Sequence, residues 1–172
     1  KKMIKANRIF FDKAKRKVLS QNDKSNNNII AFDSKLEFLV YRELEIFCKS
    51  IPNLLPEPLE YQITTQEKVT LFDSFTNEPY QWKCDFKVSI PAMSYLFYVE
   101  AKGVLTEVFR LKMQLLKANN YKVWERLIVV CYDSANLNTL KKYCHVVLHL
   151  KDFKDNKNLL LDLAKKGLFY NV

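Results

Sequence analysis

Hydrophobic residues recur every three or four positions in two long segments of the chain. In residues 35–49, directly after Asp33-Ser34, the apolar positions at this spacing are Leu36, Leu39, Val40, Leu44, Phe47 and Cys48. In residues 106–119 the corresponding inner side is Val108, Leu111, Leu115 and Leu116. A repeat near 3.6 residues is typical of an amphipathic helix. The pattern therefore predicts one helix over residues 35–49 and a second over residues 106–119.

Between these helices the pattern changes to strict alternation. In residues 81–88, one predicted face carries Trp82, Cys84, Phe86 and Val88, and the other carries Lys83, Asp85 and Lys87. A period of two is typical of a half-buried strand, and the aromatic and β-branched run Tyr95–Val99 predicts another. Because Pro91–Ser94 has turn-forming residues, we predict a β-hairpin over residues 81–102, preceded by a strand over residues 59–71.

The rest of the chain supplies further predicted elements. Apolar runs predict strands at 126–132 and 144–150, and weaker patterns predict helices at 137–142 and 158–166. Near the N-terminus, residues 1–20 form one strand or one helix, and residues 20–28 are polar and asparagine-rich, hence a loop. This order predicts an α/β fold with a mixed central sheet, an antiparallel hairpin plus crossover strands, flanked by helices.

Positive charge is concentrated at one end of the sequence. The 172 residues have a formal net charge of +9, and residues 1–24 alone hold nine basic and two acidic side chains. We therefore divide the chain into a basic N-terminal arm and polar loop, residues 1–28, and one domain over residues 29–172. A nearly neutral body with a basic arm indicates a polyanionic partner, foremost nucleic acid. A solubilising terminus is the alternative.

Composition also excludes several classes of protein. With 48% hydrophobic residues the chain is globular, and it has no apolar run long enough to span a membrane. The four cysteines are widely spaced, which favours reduced thiols, a cytoplasmic location and neither a zinc site nor a disulfide framework. We expect no secretory leader, because the basic N-terminus lacks an apolar segment. His145 and His149 are too far apart on a regular strand to share one metal ion.

Three residues on the predicted hairpin suggest chemistry. If the turn centres between residues 92 and 93, Asp85 lies opposite Glu100, and Lys83 opposite Lys102. Carboxylates placed directly opposite each other repel, unless a cation lies between them or one keeps a proton. Mg²⁺ prefers oxygen ligands and would relieve that repulsion. Each residue also has a simpler explanation, as a solvated side chain or a surface ion pair.

These residues, in this order of elements, resemble the PD-(D/E)xK nuclease superfamily. Asp85 stands at the motif aspartate, and Glu100-Ala101-Lys102 is the E-x-K element. Glu37 lies on the first helix, where many members have an extra acid, and Gln62 lies on the following strand, where many have a glutamine. More narrowly, the chain is similar to a small family encoded by phages and prophages, in the segments Phe32–Glu37, Val99–Val104 and Phe109–Lys112.

The resemblance implies a restriction-endonuclease-like core and a metal-dependent DNA endonuclease, acting on duplex or branched DNA of a phage or mobile element. It implies Mg²⁺ or Mn²⁺ held by Asp85, Glu100, the Ala101 carbonyl and Glu37. Lys102 would then act on the attacking water or on the transition-state charge, and Gln62 on the metal shell or the phosphate. For Glu37 the alternative is a helix cap, because Ser34-x-x-Glu37 matches a capping box.

The implied partner is DNA, together with a second copy of the chain or another phage or transposon protein. Side chains expected to contact nucleic acid lie in the arm and on two elements of the domain: Lys2, Lys5, Arg8, Lys13, Lys15, Arg16, Lys17, Lys83, Arg110 and Lys112. The basic residues of the second helix could equally form its solvated face. Two other functions stay open: a nucleic-acid-binding accessory protein without catalysis, and a nuclease directed at RNA.

Overall fold

A five-stranded mixed sheet forms the centre of the structure, a computed structural model that describes residues 8–20, 26–51, 60–72, 76, 78–156 and 158–165. The strands are β1 (Ile9–Asp12), β2 (Lys17–Leu19), β3 (Ile29–Phe32), β4 (Gln62–Phe72), β5 (Pro79–Ile90), β6 (Tyr95–Ala101), β7 (Leu127–Cys131) and β8 (Val146–His149). The helices are α1 (Lys35–Ser50), α2 (Glu107–Asn119), α3 (Tyr121–Glu125), α4 (Ser134–Leu140), α5 (Leu150–Asp155) and α6 (Leu159–Lys165).

The order of strands confirms the predicted mixed sheet. Strands follow the order β4-β5-β6-β7-β8, with β4, β5 and β6 antiparallel and β6, β7 and β8 parallel. The bounds of α1 and α2 agree with the sequence prediction. Two short helices were not predicted, because α3 has five residues and α5 begins where the predicted strand 144–150 ends.

Two hydrophobic cores cover the two faces of the sheet. The first, here the α1 core, joins α1, α5 and α6 to β5, β6 and β7. The second, here the α2 core, joins α2, α3 and α4 to the same sheet. Strand β6 shows the alternation that this needs, since Phe97 and Val99 lie in the α1 core and Tyr98 lies in the α2 core. The helices therefore flank the sheet on both faces, as predicted.

Strands β4 and β5 change faces halfway along their length. Phe86 and Val88 pack in the α1 core, whereas Trp82 and Cys84 pack in the α2 core. The prediction that these four side chains share one face is therefore wrong. Regular alternation would keep them together, but the cross-strand pairs are interrupted between Thr65–Phe86 and Glu67–Cys84. We call this point, where Gln66 faces Asp85, the strand crossing.

The buried face of α2 also differs from the prediction. Phe109 and Met113 are buried together with Leu116, whereas Val108 is 60% exposed and Leu111 is 57% exposed. The sequence contains two overlapping apolar stripes at helical spacing, and the one that includes the larger Phe109 and Met113 side chains is buried. Thr106 caps the helix by accepting the Phe109 amide. The other stripe faces outward.

Part of the predicted basic arm is folded onto the domain. Strands β1 and β2 form an antiparallel sheet with β3 in the order β2-β1-β3. Phe11 is 1% exposed and contacts the rings of Phe38 and Tyr41 on α1. The domain therefore begins before residue 29 and includes this hairpin. Lys2 and Lys5 lie outside the described residues.

The described part of the chain gives two further findings. None of its helices is long and apolar enough to cross a membrane. The four cysteines are free and buried, in agreement with the reduced thiols that their spacing predicts. His145 packs against Trp124, and the ring nitrogen Nδ1 of His149 accepts the Lys151 amide at the start of α5. Both histidines thus have local structural contacts.

Replacing Phe11 tests whether the β1–β2 hairpin belongs to the folded domain. Phe11→Ala should lower the free energy of unfolding by about 3–5 kcal/mol, because it removes a fully buried ring. Val18→Ala is the matched control in the same hairpin; Val18 is 48% exposed, and a change within about 0.5 kcal/mol is expected. Urea denaturation followed by circular dichroism measures both. Equal, small effects would mean that the hairpin is not part of the cooperative fold.

Candidate functional site

Asp85 and Glu100 meet where the β5–β6 ladder opens. The ladder pairs Phe86 with Val99 and Lys87 with Tyr98, which is the register predicted from the turn at Pro91–Ser94. The next residues in that register are Asp85 and Glu100. They are joined through their side chains: the Asp85 amide donates to Glu100 Oε2 at 3.3 Å, and the Ala101 amide donates to Asp85 Oδ2 at 2.8 Å.

The ladder also corrects one predicted pair. Lys83 was expected opposite Lys102, but β5 and β6 are paired only from Phe86–Val99 to Ile90–Tyr95. Lys83 instead lies opposite Lys68 of β4 and is exposed. The reason is the strand crossing: beyond it, β5 stays paired with β4 and is no longer paired with β6.

Burial makes both carboxyl groups hard to ionise, and the charge of Asp85 adds to this effect at Glu100. Glu100 is 8% exposed, and burial, followed by the charge of Asp85, raises its pKa well above the usual range. Burial raises the pKa of Asp85 to about 7, against the hydrogen bond from the Ala101 amide; the charge of Glu37 raises it further and that of Lys102 lowers it. Two carboxyls in this state are arranged to share a proton or a cation.

Lys102 is the cation beside this pair. Its amide donates to the Val130 carbonyl at 2.8 Å, which extends β6 alongside β7. Its Nζ lies 4.5 Å from the centroid of the Phe109 ring, a cation–π contact. Its charge lowers the pKa values of both Asp85 and Glu100. Lys102 is therefore held near the carboxyl groups by the first turn of α2.

Glu37 forms the capping box that its spacing from Ser34 predicts. The Glu37 amide donates to Ser34 Oγ at 3.1 Å, and the Asp33 amide donates to Glu37 Oε2 at 3.0 Å. The Ser34 hydroxyl donates to Glu37 Oε1, so both carboxylate oxygens accept hydrogen bonds. The charge of Glu37 nevertheless reaches Asp85, whose pKa it raises. Its capping role is observed, and its role as a metal ligand stays a prediction.

Gln62 is not brought to the site. It is the first residue of β4 and pairs with Ser89, about 13 Å along the strand from the Asp85 position at 3.3 Å per residue. The glutamine at the site is Gln66, whose Nε2 donates to Asp85 Oδ1 at 3.4 Å. Gln66 is not among the predicted site residues, because the sequence pattern does not reveal the register between β4 and β5. That register, once known, places residue 66 opposite residue 85.

The donor set suits a hard divalent cation only in part. The Asp85 and Glu100 carboxylates, with the Ala101 carbonyl that the resemblance implies, are the oxygen ligands that Mg²⁺ and Mn²⁺ prefer. Within the described ranges, no group of three or more His, Cys, Asp or Glu side chains is placed to hold a metal ion. An ion here would therefore be bound by two carboxylates, with water or substrate oxygens in the remaining positions.

Four of the predicted nucleic-acid contacts are engaged in ion pairs. Arg8 binds Asp33 at 2.8 Å, and Arg16 lies 3.7 Å from the buried carboxylate of Glu45. The other two pairs join Lys15 to Asp12 at 4.0 Å and Arg110 to Glu107 at 2.9 Å. Of these pairs, the one between Arg8 and Asp33 is linked to the site electrostatically, because the charge of Asp33 raises the pKa of Asp85.

Apart from Lys83, the remaining predicted nucleic-acid contacts among the described residues fall into two groups. Lys13 and Lys17 are exposed around the turn between β1 and β2. Lys112 lies on α2 with Nζ 5.8 Å from the Tyr80 ring centroid, and its charge lowers the pKa of Glu100. Lys112 therefore acts electrostatically on the candidate site, whereas the turn lies at the far end of β1 from Arg8.

Comparisons with known proteins assign no family. No protein-family model matches the chain, and no curated protein matches it. Among solved structures, protein VC1899 from Vibrio cholerae is similar with a TM-score of 0.49 and 13% sequence identity, over 85% of this chain and 40% of that one. This likeness is too weak to assign a fold or an activity.

Replacing Asp85 tests the burial of its charge. Its pKa is raised from 3.8 to about 7, so the stability gained by keeping the proton is present below the lower value and lost as pH rises through the higher one. In EDTA at pH 8, Asp85→Asn should melt about 5 °C above the wild type, and the difference should vanish toward pH 4. Differential scanning calorimetry measures this.

The control for this series is Glu78→Gln, an exposed carboxylate directly before β5, which should leave the pH dependence unchanged. An offset for Asp85→Asn that is the same at every pH would contradict a raised pKa of Asp85.

Proposed function

We propose that this protein is a metal-dependent DNA endonuclease of the PD-(D/E)xK type, which hydrolyses phosphodiester bonds in phage or mobile-element DNA in the cytoplasm. The observation that carries the proposal is the junction of Asp85 and Glu100. Each carboxylate accepts a hydrogen bond from a backbone amide of the other residue's strand. Lys102 follows two residues later on the same strand end. A buried glutamate next to a half-buried aspartate is uncommon away from functional sites.

The arrangement of elements supports the same proposal. The resemblance implies a helix, an antiparallel hairpin that carries the acidic residues, and crossover strands; α1, β5–β6, β7 and β8 follow that order. The candidate residues come from the first turn of α1, the middle of β5 and the end of β6. We accordingly propose a restriction-endonuclease-like core for residues 29–172, onto which the β1–β2 hairpin is packed.

The chemistry follows from the charges at the site. Bound Mg²⁺ or Mn²⁺ would offset the negative charge of a phosphodiester and lower the pKa of a coordinated water. Asp85 and Glu100 would hold the ion, and the repulsion by which the charge of Asp85 raises the pKa of Glu100 would then be relieved. Lys102 would present its ammonium group to the attacking water or to the phosphate oxygens, where negative charge grows during hydrolysis.

Positive side chains near the pair support a polyanionic substrate. Lys112 and Lys102 act electrostatically on Glu100, and Arg8 lies beside Asp33. The turn between β1 and β2 adds Lys13, Lys15 and Lys17 at a distance from the acidic pair. A phosphate backbone that crosses the site and extends toward this turn would neutralise both groups of cations.

Cleavage of defined substrates tests the proposed function. Purified protein is incubated with duplex, four-way junction, flap and single-stranded RNA substrates, in Mg²⁺, Mn²⁺ or EDTA. We expect metal-dependent cleavage of a DNA substrate by the wild type. Asp85→Asn and Lys102→Ala should each reduce the rate by about 10²-fold or more, since each removes a metal ligand or a transition-state charge. Denaturing gels give the rates.

Asp155→Asn and Lys141→Ala are the matched controls, since both side chains are exposed and lie on or next to other helices. Their rates should equal that of the wild type. Metal-dependent cleavage of RNA alone would favour the RNA nuclease. Binding of DNA without any cleavage, unaffected by Asp85→Asn, would overturn the proposal in favour of an accessory protein.

Salt dependence tests the contribution of the basic turn. Replacement of Lys13, Lys15 and Lys17 by Gln should weaken DNA binding and reduce the log–log salt slope by about 2–3, at roughly 0.9 per phosphate contact on duplex DNA. The same change at the exposed Lys141, Lys142 and Lys151 is the control and should leave the slope unaltered. Fluorescence anisotropy between low and physiological salt provides the slopes. Identical slopes for both triple variants would remove the turn from the interface.

A further inference from the structure

Gln66 has an unusual backbone conformation in the middle of a long strand. Its φ angle is +55°. This value lies in the left-handed backbone region, which residues other than glycine, asparagine and aspartate rarely adopt. The conformation is strained, and it persists where the surrounding structure demands it. Residues held in this way are frequent at functional sites.

The left-handed residue coincides with the strand crossing. Before Gln66, Ile63 packs against the α1 core; after it, Val69 and Leu71 pack in the α2 core. The same exchange occurs on β5, directly opposite, between Cys84 and Phe86. One residue with positive φ reverses the side to which the following side chains of β4 point, and thus allows the ribbon to serve both faces of the sheet.

The side chain of Gln66 completes the set of contacts around Asp85. Gln66 Nε2 donates to Asp85 Oδ1 at 3.4 Å, and the Ala101 amide donates to Oδ2 at 2.8 Å. Both oxygens of the carboxylate are therefore hydrogen-bonded, one from each neighbouring strand. Two donors on opposite sides restrict rotation of the carboxyl group.

We propose that Gln66 is a positioning residue that holds the Asp85 carboxylate toward Glu100 for cation binding. This rests on the proposed function, because it is the metal site that needs the orientation. The side chain supplies a neutral donor, and the backbone brings that donor to Asp85. Metal ligands are commonly fixed by such hydrogen bonds from outside the coordination sphere.

A neutral amide suits this position better than a charged side chain. A lysine at residue 66 would place an ammonium group beside Asp85 and compete with the cation for the carboxylate. A glutamate would add a further negative charge to a site where repulsion already raises the pKa of Glu100. The amide of Gln66 instead satisfies one acceptor without changing the net charge that attracts a divalent ion.

Two substitutions separate the side-chain role from the backbone role. Gln66→Met keeps the length and the strain but removes the donor, whereas Gln66→Gly removes the donor and adopts positive φ without strain. Gln81→Met is the matched control, since Gln81 Nε2 also donates across the β4–β5 ribbon, to Thr70 Oγ1 at 2.9 Å. Calorimetric titration with Mn²⁺ gives the affinity, thermal denaturation gives the stability, and cleavage of a DNA substrate gives kcat and KM.

We expect both Gln66 variants to bind Mn²⁺ about tenfold more weakly and to lose a similar factor in kcat, with KM for DNA unchanged. Gln66→Gly should be at least as stable as the wild type, so that the loss of affinity does not follow stability. Gln81→Met should retain the wild-type affinity and kcat.

The outcomes that overturn the inference are distinct from those that overturn the function. If the wild type binds Mn²⁺ and cleaves DNA, and Gln66→Met does so equally well, Gln66 does not position Asp85 and the proposed function stands. If the wild type neither binds Mn²⁺ nor cleaves any of the substrates, the proposed function and this inference are both wrong.

Discussion

A buried glutamate beside a half-buried aspartate imposes the strictest constraint on this structure. Burying a carboxyl group without hydrogen bonds costs several kcal/mol, and a like charge beside it adds to that cost. Two backbone hydrogen bonds between the strands offset this cost: the Asp85 amide donates to the Glu100 carboxylate, and the Ala101 amide donates to the Asp85 carboxylate. Both amides are available because the β5–β6 ladder ends one residue earlier, at Phe86 and Val99. The open ladder and the acidic pair therefore require each other.

The opening of the ladder is linked to the change of faces in the neighbouring ribbon. At the strand crossing, β4 and β5 exchange one core for the other, and the residue that permits this, Gln66, also donates to Asp85. Strand β5 is paired with β4 on both sides of the crossing, whereas its pairing with β6 ends at Phe86. Past Val99, the end of β6 is paired with β7 on one edge, and its other edge is no longer paired with β5. Glu100 and Lys102 lie at this open edge.

The outline of the fold and the core of the candidate site could be predicted from the sequence, because they depend on local signals. Helical spacing predicts α1, and the turn before Tyr95 sets the register that brings Asp85 to Glu100. The crossing at Gln66 could not be predicted, because glutamine carries no preference for positive φ. The buried side of α2 was ambiguous between two apolar stripes. Around Phe11 the sequence left a strand and a helix open, and its high density of lysine and arginine favoured a basic arm over a strand whose aromatic ring is buried in the domain.

The participation of β5 in both cores affects how the molecule can unfold. Phe86 and Val88 lie in one layer and Trp82 and Cys84 in the other, on a single continuous strand. If one helical layer separates from the sheet, β5 is displaced and its packing in the other core is disturbed as well. Partial opening therefore costs hydrophobic contacts in both cores. The central sheet with its two helical layers should thus behave as one cooperative unit in native-state amide exchange, with the slowest-exchanging protons on β5 and β6.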